Sequence, residues 1–285
     1  MKKNKIYTLW YAVPSLLIFT IFFLLPMLLS LFFSLTVWNF TEWKFVGLDN
    51  FKTFLTDRSL NIGIKNSLIY AFLNCTIKVC LGFLLAVFLT SSVKLKNVFR
   101  SVVFFPHLVS TIAVGITFSA LMHPSKGLFN KILSILNMPT FDWLGNIRIA
   151  LFSVIGTECW RGVGVAAVIY IAGIQSIDQT YYEAASIDGA NGYQKLRNIT
   201  LPLCRPSMNS VILLSFIGGL RSFDLIWSMT GGGPGFATDV LASIVYKQYA
   251  SGFYGLSTAG NVLLFVLVAA LAFPLQKFLL SREVT

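Results

Sequence analysis

Positions 6–37 contain no Asp, Glu, Lys or Arg, and an apolar run of that length belongs across a bilayer rather than in a soluble core. A helix needs about 20 apolar residues to cross a hydrocarbon layer of ~30 Å. Five further stretches meet or approach this condition. Segment 64–92 carries only Lys65 and Lys78, and 101–122 carries no formal charge. Segment 149–174 holds Glu158 and Arg161, 207–229 holds Arg221 and Asp224, and 256–280 holds only Lys277 near its end. Hydrophobic residues make up 56% of the 285 positions and charged residues 12%. Soluble domains run near 45–50% and about 25%, so too little charge is left to cover a water-facing surface. The chain reads as all-α and polytopic, one transmembrane domain over 1–285 with six spans.

The run at 6–37 follows Lys2, Lys3 and Lys5 but is too long for a signal-peptide core and ends in no small-residue cleavage site, so it reads as a retained first helix. Pro14 and Pro26 each remove a backbone donor within it and are expected to distort it. Six spans put both termini on one side. The basic start and the acid-free Lys-Leu-Lys-Asn-Val-Phe-Arg loop at 94–100 place that side in the cytosol. The net charge of +11 is spread in short clusters between apolar runs, which suits topology signals and anionic membrane lipid rather than nucleic acid. Cys75, Cys80, Cys159 and Cys204 lack C-x-x-C spacing, and His107 and His123 lie apart, so no metal site is expected. The outer segments 39–61, 123–146 and 230–255 mix aromatics with Gly and Pro, as packed loops or short interfacial helices do.

The inner segment 175–206 is longer than a return to the bilayer requires. Thr180-x-x-Glu183 has the form of a capping box. Ala184 and Ala185 keep a helix surface low, and Gly189 can supply the left-handed residue that ends it. A second helix carries Tyr193, Leu196 and Ile199 three apart on one face; Leu201-Pro202 is expected to break it, and Pro206 suits the first turn of the next span. Two capped helices outside the membrane form either a docking surface or an unpartnered interfacial hairpin.

At these residues the chain resembles the permease subunits of binding-protein-dependent ABC importers. Glu-Ala-Ala-Ser-Ile-Asp-Gly-Ala at 183–190, followed by Ile-Thr-Leu-Pro-Leu at 199–203, is similar to their EAA loop. Gly-Leu-Asp-Asn-Phe at 47–51, Trp-Arg-Gly-Val-Gly at 160–164 and the run 222–235 resemble the carbohydrate branch, the maltose-type and glycerol-phosphate-type permeases. The resemblance implies a type I importer permease fold in a bacterial-type cell membrane, translocating a sugar or oligosaccharide. It implies an ATPase dimer docked on Glu183, Ala184, Ala185, Asp188, Gly189, Ile199, Leu201 and Pro202, with ATP and Mg held by that partner. It also implies a second, homologous permease chain, and an extracytoplasmic solute-binding protein delivering substrate to the outer face.

No G-x-x-x-x-G-K-[ST] occurs, so this chain is not expected to bind nucleotide, and no catalytic constellation appears. Gly231, Gly232, Gly233 and Pro234 read as a loop whose missing side chains let the binding protein approach the backbone. Ionisable groups inside a membrane are costly and mark either packing pairs or transport pathways. At 1.5 Å per residue, Lys78 lies roughly 20 Å below the outer start of its span. Glu158 lies slightly shallower and Arg161 one turn deeper, so a Lys78–Glu158 or Glu158–Arg161 pair is sterically open, either to fix packing or to line a pathway for sugar hydroxyls. Arg221 and Asp224 are one turn apart and could pair with each other, gate the cavity or meet the binding protein. Two rival readings remain at this level: the same machine importing another solute such as glycerol phosphate or a polyamine, and an ion-coupled secondary transporter using these charges.

Overall fold

The computed structural model describes residues 9–39, 41–91 and 94–281. Thirteen helices and one short ribbon cover most of them. They run α1 (Trp10–Ser34), β1 (Thr36–Trp38), β2 (Trp43–Phe45), α2 (Asp49–Thr56), α3 (Arg58–Thr90), α4 (Lys96–Leu108), α5 (Thr111–Leu121) and α6 (Leu128–Ile135). Then follow α7 (Ala150–Gln175), α8 (Gln179–Ile187), α9 (Gly192–Leu203), α10 (Arg205–Leu220), α11 (Asp224–Thr230), α12 (Leu241–Ala250) and α13 (Tyr254–Leu280). The ribbon is antiparallel, with Val37 opposite Lys44, and it is a small departure from the all-helical expectation.

Helices α1, α3, α7 and α13 are each long and apolar enough to cross a membrane, and the bent pairs α4–α5 and α9–α10 raise the number to six if each counts as one span. The first span is distorted where Pro26 lacks its donor. Residues Thr20–Leu24 widen into a π turn in which the Leu25 N–H reaches back to the Thr20 carbonyl. The third span corrects the sequence expectation of one continuous helix over 101–122. It starts earlier, at Lys96, and turns by 96° at Val109 and Ser110, where the backbone is extended after Pro106 and His107. The fifth also differs from the expected 207–229. Helix α10 ends at Leu220, residues 221–223 interrupt it, and α11 resumes at Asp224.

Helix α7 is the centre of the bundle: 61% of its most apolar stretch is buried, against none in α1 and α13. Gly82 of α3 sits so close to Ala166 of α7 that an added Cβ would lie 2.7 Å from the alanine Cβ. Such small-residue contacts let membrane helices approach without a hydrophobic drive from water. Two apolar clusters flank this crossing. Tyr70, Val154, Ile155, Leu225 and Ile226 pack toward the end carrying the Gly-rich loop. Ala86, Leu89, Tyr170, Cys204 and Val211 pack toward the end carrying the α8–α9 hairpin.

Candidate functional site: a polar cavity between two loop structures

Midway along α3 and α7 the charges flagged in the sequence meet. Lys78 Nζ lies 2.7 Å from Glu158 Oε1. Arg161 Nε lies 3.1 Å from Glu158 Oε2, and its Nη2 reaches Oε1 at 3.3 Å. Lys78 and Glu158 are buried. Gly162 makes room for the lysine, whose head occupies the space of the missing Cβ. Thus one carboxylate is shared by two cations rather than matched with one.

These three residues line a cavity of about 210 Å³ together with Arg221 and Asp224. The break at 221–223 places those two on its wall. Among the described residues Arg221 and Asp224 form no ion pair with each other, so that option does not hold. The cavity also uses Asn74, Thr111 and Ser215, which sequence reasoning passed over. Their only signal was a polar side chain inside an apolar run. Many such residues merely bond to their own helix, as Thr76 does to the Phe72 carbonyl.

At one end of the bundle stands the hairpin of α8 and α9. Its first helix is not capped as the Thr180–Glu183 box proposed. Asp178 is the cap: its carboxylate accepts from the Thr180 N–H and hydroxyl, each at 2.9 Å. Those bonds hold the Asp178 carboxyl below its ordinary value. Gly189 adopts φ +75°. Its N–H bonds to Ser186 and the Ala190 N–H to Ala185, which completes a Schellman termination. Asn191 and Gln194 form a reciprocal capping box for α9. Leu201-Pro202 does not end α9. A π turn over Leu196–Thr200 absorbs the missing donor, with Leu201 N–H bonding to the Leu196 carbonyl, and the 65° bend falls at Cys204 instead. Pro206 does occupy the first turn of α10.

The arms of the hairpin are tied by Tyr182 Oη and Thr200 Oγ1 at 2.9 Å, and by Lys195 donating to Ser186 at 2.7 Å. Glu183, Ala184, Asp188, Gly189 and Leu201 are exposed, while Ala185, Ile199 and Pro202 are partly covered. Ile187, not singled out in the sequence, is 88% exposed at the tip.

At the opposite end the Gly-rich loop is packed rather than open. Asp239 is fully buried; Lys247 Nζ lies 2.6 Å from its Oδ2 and Ser243 donates to its Oδ1 at 2.8 Å. Asn66 of α3 donates to the carbonyls of Ala237 and Asp239. Gly232 is buried with φ +94°, and a Cβ there would overlap the Asp239 carboxylate. Its small size therefore has an internal cause, which corrects the reason given for it from the sequence. Gly231 and Gly235 have open space where a Cβ would go, and Gly233 and Pro234 are partly exposed.

A family model described as the binding-protein-dependent transport system inner membrane component matches residues 78–283, which include the cavity lining apart from Asn74, the hairpin and the Gly-rich loop. The trehalose/maltose transport system permease protein MalF of Thermococcus litoralis is 35% identical over 90% of this chain and 87% of its own. The arabinooligosaccharides transport system permease protein AraP of Bacillus subtilis is 33% identical over 92% of this chain and 85% of its own. In a crystal structure of a bacterial ABC transporter involved in the import of the acidic polysaccharide alginate, one chain superposes with a TM-score of 0.84 at 24% identity. The match covers 95% of this chain and 94% of that one, a likeness that shows the fold. With the family match spanning most of its length and relatives above 30% identity over nine-tenths of it, this chain belongs to the inner membrane components of binding-protein-dependent transport systems.

Proposed function

We propose that this permease forms half of the pathway of an ATP-driven importer that carries a sugar or oligosaccharide. The observation that carries the coupling is the hairpin, where two capped helices present Ile187 to solvent beyond the bundle. A large apolar side chain on a rigid tip is suited to a pocket on a partner. In this reading the partner is a cytosolic ATPase dimer that holds ATP and Mg, with Glu183 to Gly189 seated against it. The hairpin end and both termini then face the cytosol. The Gly-rich loop faces the other side of a bacterial-type cell membrane, where a solute-binding protein delivers substrate. A second, homologous permease completes the pathway, and this chain acts as a single permease unit with membrane lipid around α1 and α13.

The sugar assignment draws on relatives named for trehalose/maltose and arabinooligosaccharides. A cavity lined by Asn74, Thr111, Ser215 and charged groups is suited to hydroxyl-rich solutes. Uptake into proteoliposomes containing the complete importer tests the energy source. Vanadate abolishes ATP-driven uptake, whereas inhibition by an ionophore with vanadate resistance identifies an ion-coupled transporter and defeats the proposal.

A further inference from the structure

The cavity holds more unspent donors than acceptors. Both oxygens of Glu158 are engaged, Oε1 by Lys78 and Arg161 and Oε2 by Arg161. An ammonium has three N–H groups and a guanidinium five, so Lys78 and Arg161 keep donors beyond those that the glutamate takes. Arg221 adds a guanidinium that has no carboxylate partner among the described residues. Lys78, Arg161 and Arg221 thus face Glu158 and Asp224, three cations against two anions around one small volume. Lys78 is buried and Arg161 half-buried, while Arg221 and Asp224 stand exposed on the cavity wall where a solute can reach them. Excess positive charge around a partly enclosed volume favours any counter-charge that enters it. Neutral hydroxyls supply none. A carboxylate or a phosphate does, and a guanidinium matches either with paired N–H bonds.

We propose that this cavity takes a sugar bearing an anionic group, a carboxylate or a phosphate, received by Arg221 together with the spare N–H groups of Arg161 and Lys78. Asp224 on the same wall opposes that anion and sets how tightly it is held. The proposal rests on the sugar-importer reading above.

The test uses the complete importer with its binding protein in proteoliposomes. It is given a mixture of maltotriose, raffinose, digalacturonate and glucose 6-phosphate, and ATP-dependent accumulation is read by mass spectrometry. An acidic member is expected to accumulate, and which one separates carboxylate from phosphate. Arg221→Gln should raise its apparent KM at least tenfold, Arg221→Lys should restore most of that loss, and Asp224→Asn should lower KM. A merely structural role for Arg221 and Asp224 would not move KM in opposite directions. Accumulation of the neutral sugars alone overturns the proposal and leaves the sugar importer standing. So does acidic uptake unaltered by Arg221→Gln and Asp224→Asn. If none of the four accumulates in an assembled complex with active ATPase, the sugar reading itself fails and takes this inference with it.

Discussion

The two loop structures on either side of α10 and α11 are built in opposite ways. The hairpin of α8 and α9 is held by bonds between near neighbours in sequence: Asp178 with Thr180, Gly189 with Ser186, Asn191 with Gln194. Its tip stays exposed. The Gly-rich loop is held by groups from distant parts of the chain, with Asn66 and Ser67 of α3 bonded to residues 237–241 and a buried Asp239 beneath it. Local bonding makes a unit that can move as a body against the bundle. Long-range burial makes one that cannot move without disturbing α3, the helix that carries Lys78. In the proposed function the first would serve as a movable coupling element and the second as a fixed docking frame.

If that contrast is right, substitutions should cost stability in a set order. Lys247→Met leaves the fully buried Asp239 carboxylate without its cation and should destabilise the permease by about 3–5 kcal/mol, the range for stranding a buried charge. Loss of monodisperse protein in detergent, with a lowered melting temperature, is the expected reading; a wild-type profile would mean the loop is not anchored there. Glu158→Gln comes next, at about 3 kcal/mol, because it strands both Lys78 and Arg161. Lys78→Met should be the mildest of three changes to this cluster, since Arg161 still pairs with Glu158, and the double variant Lys78→Met/Glu158→Gln should fall between the two single ones. The sequence alone suggests instead that the double variant is milder than either single change. A three-membered cluster reverses that order for Lys78, and melting curves of the three proteins decide it.

Gly189→Asp should strain the left-handed turn by roughly 1–2 kcal/mol, with no collision because the space beside Gly189 is open. The expected result is a membrane-inserted permease that loses its ATPase in a detergent pull-down and drives no uptake. Normal ATPase retention and uptake would remove the hairpin from the coupling role. The smallest effect belongs to Asp178. Its folded carboxyl lies below the ordinary value of 3.8, so its capping contribution is full above that value. The contribution is lost as pH falls through the folded value. Amide exchange at Thr180 should quicken as pH falls below the ordinary carboxylate range, relative to the base trend. In Asp178→Ala it should be fast at every pH.

What could be read from residues alone was whatever is carried by short spacing. The apolar runs announce the spans because length and charge are local properties. Gly189 announces a helix end because a left-handed residue needs no distant partner. Even there the cap was misplaced by two residues, since Asp178 and Thr180 are both competent N-caps and the choice depends on where the preceding α7 stops. The breaks at Val109 and at 221–223 were not legible. Pro106 marks a weak point, but whether a helix bends there depends on what its neighbours press against it. Here Gly164 of α7 lies against the Val103 carbonyl.

The cavity divides in the same way. Lys78, Glu158 and Arg161 stood out because a charge in an apolar run is conspicuous. That one glutamate serves two cations, and that Arg221 and Asp224 face the same space with no ion pair among the described residues, is set by how α3, α7 and α10 cross. Asp239 was not legible because an acid in a Gly-rich loop reads as solvated, and its sequence neighbours give no sign that it is buried. The sequence settles which segments are helical and apolar, since those follow from backbone propensity and transfer energy summed along the chain. Pairing, burial and bending depend on contacts between residues far apart in the chain, such as Asn66 with Asp239 or Trp38 with Tyr254, and the fold alone supplies those.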